Sequence, residues 1–211
     1  MRLTNEKGTI GLVREVMSRL PISGKARTLA RGAISAIKLD PIDMLGAYVD
    51  MELESYLSVK PENAKLGAVM LHELVTDLGI SFQATHLFDS FIQHIREKYA
   101  CRPGFVTRNF AKFLKFFQDE RLSLKDVVIM TPFNKAGFQM NPSRESCEAG
   151  LANLKEGDVV AMSIMAGGYL TLDESIEYLK ALMNVCGVVV GVSSTEHASQ
   201  TFTRLGSLMK R

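Results

Sequence analysis

With 211 residues, 46% of them apolar and 23% charged, the chain can bury one sizeable core or two small ones, which excludes a flexible tail. A formal charge of +2 gives no global field for nucleic acid or an anionic membrane. Cys101, Cys147 and Cys186 form no C-x-x-C pair, no apolar run approaches the ~20 residues that span a bilayer, and no signal-like segment follows Met1, so a reduced cytoplasmic protein is expected.

Residues 1–78 read as a mainly helical segment. Leu12, Val13, Val16, Met17 and Leu20 form a stripe that Pro21 stops, and residues 23–37 make a second candidate helix, with a strand over 33–39 as the alternative. Gly24-Lys25 lacks the rest of G-x-x-x-x-G-K-[ST] and is no phosphate loop. Asp40-Pro41 is a cap followed by proline at the first helical position, and Pro61 opens a further helical pattern through Leu66, Val69, Met70, Leu74 and Val75 to Gly79. Asp50, Glu52 and Glu54 alternate, so a helix splays them, and His72-Glu73 lacks the second histidine of H-E-x-x-H.

Residues 79–211 read as five β-α units. Ile80 to His86 alternates apolar and polar residues and is followed by a helical pattern to Tyr99. Phe105-Val106-Thr107 is a short strand before a helix with the buried stripe Phe113, Leu114, Phe116 and Phe117. Three apolar runs then repeat one grammar of strand, polar exit and helix: Asp126 onward, Asp158 onward, and Gly187-Val188-Val189-Val190. Units beginning near residues 80, 104, 126, 158 and 187 have the cadence of a (βα)8 barrel. A doubly wound sheet is the alternative, although no G-x-G-x-x-G follows the first strand. Five strands leave a barrel incomplete, and the helical segment or a second subunit is expected to cover its open edge.

If the strands are parallel, their exits gather Thr85 and His86, then Thr107, Arg108 and Asn109, then Thr131, Asn134 and Lys135, then Ser163, Gly167 and Gly168, and last Gly191, Ser193 and Ser194. Each also has a structural use: Ser and Thr cap helices, with Ser193 and Glu196 at capping-box spacing, Asn makes turns, and Arg108 can pair with a surface carboxylate. Ala166-Gly167-Gly168 and Gly191-Val192-Ser193-Ser194 resemble the loops that hold phosphate in phosphate-binding TIM barrels, a likeness that covers roughly residues 80–211. That resemblance implies an α/β, incomplete or variant TIM-barrel fold with a phosphate on the backbone of Gly167, Gly168, Gly191, Ser193 and Ser194.

Catalysis would then lie across the mouth. Lys135 is the candidate Schiff-base lysine, His86 the general acid or base, and Arg108 with Asn109 the pair that orients a carboxylate or carbonyl. A metal on His86, Asp89 and Asn109 lacks the usual cluster of ligands, so no metal or other cofactor is expected. The function read from the sequence is a metal-independent, aldolase-like lyase or an isomerase of a small phosphorylated or carboxylated metabolite. The alternative is a non-catalytic interaction or regulatory protein on a partial-barrel scaffold.

Overall fold

The computed structural model describes residues 41–206, so the helices expected over 12–20 and 23–37 and the alternative strand lie outside the described residues. The chain divides into two compact units, residues 1–65 and 66–211. In the first, α1 (Pro41–Val59) starts with proline, whose fixed φ and missing N–H suit the first turn. Lys60 Nζ, just past its end, donates to the Ala64 carbonyl at 2.9 Å.

The second unit is an α/β layer. Its strands are β1 (Ala68–Leu71), β2 (Arg102–Val106), β3 (Val128–Pro132), β4 (Asp158–Met162) and β5 (Val185–Val188). They pair in the order β1-β2-β3-β4-β5, and all four pairings are parallel. The connecting helices are α2 (Glu73–Ser81), α3 (Thr85–Tyr99), α4 (Phe110–Asp119), α5 (Arg144–Ala152) and α6 (Leu172–Ala181), and α7 (Thr195–Gly206) follows the last strand. Right-handed crossovers between strands that neighbour in sequence order place these helices on one face of the sheet.

That face holds the core. Phe105 on β2 is fully buried, with its ring centroid 5.4 Å from Phe88, 5.5 Å from Phe91 and Phe117, and 5.6 Å from Phe113. These partners lie on α3 and α4, so both helices pack on the same side of β2. Ile129 and Val159 are its fully buried counterparts on β3 and β4, in register with it. The opposite face alternates with this one. It carries Met70, Val106, Met130, Val160 and Met162, all half-buried, with Val106, Met130, Val160 and Gly187 in one cross-strand row.

The number of strands and their parallel sense agree with the sequence reading, but the first strand is not where that reading put it. Ile80 and Ser81 close α2, and Thr85 and His86 open α3; the strand is Ala68–Leu71, inside the stretch read as helix. The alternation at 80–86 belongs to a helix end and a turn, where Gln83 has φ 53° and Phe82 stays exposed. His72 caps the new helix, its Nδ1 accepting from Leu74 N at 3.1 Å. The last strand also begins two residues earlier than its apolar run, at Val185, with a register shift against Val159 and Val160.

Close approach explains one glycine of the sheet. A Cβ on Gly104 would lie 2.2 Å from Met70 Sδ and 2.9 Å from the Val128 carbonyl. The thioether can swing aside, but the carbonyl belongs to the neighbouring strand. Gly104→Ala is therefore expected to cost about 1–3 kcal/mol in denaturant unfolding. A change below about 0.5 kcal/mol would show that β2 and β3 separate freely there.

Candidate functional site

The exit of β2 is held by α2. Arg108 donates to Glu73 from Nε to Oε2 at 2.8 Å and pairs through Nη2 with Oε1 at 2.8 Å, a two-pronged contact with the first residue of α2. One turn on, Asp77 accepts from the Thr107 hydroxyl, from Asn109 Nδ2 at 2.9 Å and from the Arg108 amide at 3.4 Å. Thr107 is fully buried, and its Oγ1 also accepts from Asn109 N at 2.9 Å. Arg108 and Asn109 thus reach the rim, with their side chains engaged by Glu73 and Asp77. Asp77 did not stand out in the sequence, and Glu73 did so only as part of an incomplete H-E-x-x-H, because α2 was hidden in a longer helical pattern.

The loop after β3 is tightly built. Phe133 and Asn134 are fully buried and Met140 nearly so. The Asn134 side chain accepts from Phe138 N at 2.8 Å and donates to the Phe138 carbonyl at 2.9 Å and the Ser163 carbonyl at 3.2 Å. Its backbone carbonyl accepts from Gly137 N at 3.1 Å, and Asn141 N donates to the Arg108 carbonyl at 3.0 Å. Hydrogen bonds therefore join the exits of β2, β3 and β4 into a continuous rim. Lys135 is exposed on this loop, its carbonyl accepting from Arg144 Nη1 at 2.7 Å.

Lys135 also faces the β4 exit. The Glu174 carboxyl lies below the usual carboxylate range, first because Thr171 donates to it from the backbone and then from its hydroxyl, and also because the Lys135 ammonium is close. Thr171 and Glu174 form the capping box that opens α6. Between β4 and that box the chain passes through Ser163 at φ 53°, Ala166 at 50°, Gly167 at 72° and Gly168 at 95°. The two glycines take left-handed conformations that a side chain would strain, and the space above each is open, so their backbone is accessible.

β5 is the neighbour of β4, so its exit adjoins this loop, and Val189 N donates to the Ala161 carbonyl at 2.9 Å. Gly191, Ser193 and Ser194 are all exposed there. The cap of α7 falls to Ser194, whose Oγ accepts from His197 N at 3.1 Å, one residue later than the Ser193 and Glu196 spacing suggests. Ser193 Oγ lies 3.3 Å from His197 Nδ1 instead. His86 does not join the rim. It follows Thr85, whose hydroxyl donates to Glu120 at 2.6 Å, and Glu120 closes α4 at the end away from the β2 exit. The reading that placed His86 at a strand end is therefore corrected, since the strand assigned to 80–86 is helix and turn.

A groove of about 820 Å³ lies elsewhere, between α4 and α5, lined by Leu114, Phe117, Leu122, Leu124, Gly150 and Leu154 among others. Its loop residues precede β3 and β4, so it opens toward the strand N-termini. Among the described residues no group of three or more His, Cys, Asp and Glu is placed to hold a metal ion, and no helix is long and apolar enough to cross a membrane.

Fold and rim together define an α/β unit whose parallel strands follow one another in chain order and whose loops meet at the strand C-terminal ends. Compared with family models, with curated proteins and with solved structures, the chain has no significant match.

Proposed function

We propose that residues 66–211 are an incomplete barrel of the phosphate-binding TIM-barrel kind, acting as a metal-independent, aldolase-like lyase or an isomerase on a small phosphorylated or carboxylated metabolite at the strand C-terminal ends. The observation that carries this reading is the joined rim, in which Asn134 links the loop bearing Lys135 to Ser163 at the β4 exit. In α/β sheets of this type ligands sit beyond the strand carboxyl ends. The exposed backbone of Gly167, Gly191, Ser193 and Ser194 lies open to a phosphate, the Gly168 N–H being already donated to the Met165 carbonyl at 2.9 Å, and the α7 N-terminus adds its positive end. Lys135 supplies the nucleophile: its amine adds to a substrate carbonyl, water leaves, and the resulting iminium accepts the electron pair of the broken C–C or C–H bond while the released proton passes to solvent water at this exposed loop. Arg108 and Asn109 serve here by building the rim, and His86 has no part.

Dihydroxyacetone phosphate with sodium borohydride tests this directly. One adduct at Lys135 is expected by peptide mass mapping. It should be absent from Lys135→Ala, whose melting temperature moves by only about 1–2 °C, as for an exposed position. Adducts spread evenly over the exposed lysines would sink the assignment.

The second reading, a non-catalytic interaction or regulatory protein, is favoured by the engagement of Arg108 and Asn109 with Glu73 and Asp77. It takes over if no member of a phosphometabolite panel raises the melting temperature, since a ligand that binds the native state must do so.

A further inference from the structure

We infer that Arg144 is a positioning residue for Lys135, a role that rests on the reading of Lys135 as the nucleophile. Arg144 is the first residue of α5, directly after its cap Ser143, so its backbone is fixed by the helix. From there the guanidinium spans three groups. Nη1 donates to the Lys135 carbonyl at 2.7 Å, Nη2 lies 3.5 Å from Glu145 Oε1, and Nε lies 3.5 Å from Glu148 Oε1. The Nε atom is buried, with Glu148 as its ionic partner and no closer acceptor.

Glu148 is itself fixed. Its Oε1 accepts from the Tyr178 hydroxyl on α6 at 2.7 Å, and burial first, then this carboxylate, push the Tyr178 phenol far above its ordinary range, so it remains a donor. A chain of contacts thus runs from α6 through Tyr178, Glu148 and Arg144 to the backbone of Lys135. The loop also passes beside the same residue: a Cβ on Gly137, at φ 71°, would lie in van der Waals contact with Arg144 Cβ at 3.4 Å.

On the other side of Lys135, Asn134 is fully buried and hydrogen-bonded through both side-chain atoms. The side chain of an exposed lysine is long and only loosely held by a nearby charge such as Glu174, so its placement is set chiefly through its backbone. The guanidinium fork holds that backbone and α5 at a fixed separation, which one ammonium on a flexible stem reproduces only in part. Misplacing a reacting group by about 1 Å can cost up to 10²-fold in rate.

The test compares borohydride trapping of dihydroxyacetone phosphate at Lys135 in the parent, Arg144→Met and Arg144→Lys, with melting temperatures alongside. Trapping should slow about tenfold or more in Arg144→Met. Arg144→Lys should recover part of the rate, and both variants should melt within about 4 °C of the parent. Trapping of Arg144→Met at the parent rate overturns the positioning role and leaves the function of Lys135 standing. Slow trapping accompanied by a larger fall in melting temperature, with faster hydrogen exchange along α5, assigns Arg144 a purely structural role and also overturns it. A parent protein that is not trapped at Lys135 removes the functional reading, and the inference falls with it.

Discussion

Phe105→Ala is expected to destabilise the protein by about 3–5 kcal/mol, the range for truncating a fully buried phenylalanine. The ring sits where β2 meets α3 and α4, touching four other phenylalanine rings, and three of them, Phe88, Phe113 and Phe117, are as completely buried. Rings held from two helices and a strand cannot all close on the space left by one of them, so a cavity term adds to the lost transfer energy. For a domain of this size the melting temperature should fall by roughly 6–20 °C. Phe105→Leu keeps most of the volume and should cost clearly less. Thermal unfolding followed by circular dichroism distinguishes the two. Equal, small losses from both would mean that the aromatic cluster is not the structural centre of the unit.

That cluster was legible because its period is unambiguous. Of the stripe Phe113, Leu114, Phe116 and Phe117, the structure buries the three phenylalanines and leaves Leu114 half-buried. The apolar strands after Asp126 and Asp158 were equally plain, each reading as a short continuous hydrophobic run, although the helices cover only one face of the sheet. β1 was not legible. Its four residues, Ala-Val-Met-Leu, are followed after one residue by α2, and the combined spacing of Leu66, Val69, Met70, Leu74 and Val75 imitates a single helix. Period alone cannot separate a short apolar strand from a helical turn. The same ambiguity produced the false strand at 80–86. His86 was counted with the site only because it stood at the end of that strand, and the error therefore travelled from fold to chemistry.

The contents of the rim show a different limit. Lys135, Asn134, Gly167 and Gly168 could be named from their place after apolar runs, because strand exits are fixed by topology. The partners that decide what those residues are free to do could not be named. Glu73 and Asp77 reach Arg108 and Asn109 across more than 30 residues of sequence, and Tyr178 reaches Glu148 across 30. Such pairings depend on which helices pack beside one another, and no local pattern records that. The capping box of Thr171 and Glu174 does carry its own spacing, but the sequence reading named that spacing only at Ser193 and Glu196.

Asn134→Ala should cost about 2–4 kcal/mol and loosen the loop that presents Lys135. The side chain is fully buried and makes three hydrogen bonds, two to Phe138 and one to Ser163, so truncation strips partners from one N–H and two carbonyls at once. Asn134→Asp is the sharper variant because it is nearly isosteric. Its carboxyl can still accept from Phe138 N, but when ionised it meets the Phe138 and Ser163 carbonyls with no proton to donate. Burial without a cation raises the folded-state pKa of that carboxyl above its unfolded value. The folded state then holds the proton more tightly than the unfolded chain, so the variant is most stable in acid and loses stability as pH rises through the folded pKa. Relative to the parent, Asn134→Asp should therefore be closest in stability near pH 4 and weakest at neutral pH, where its loss should match or exceed that of Asn134→Ala. Urea unfolding of the three proteins at acid and neutral pH measures this. A pH-independent difference between Asn134→Asp and the parent would mean that the amide does not donate to those two carbonyls, and that the loops after β3 and β4 are not joined through it.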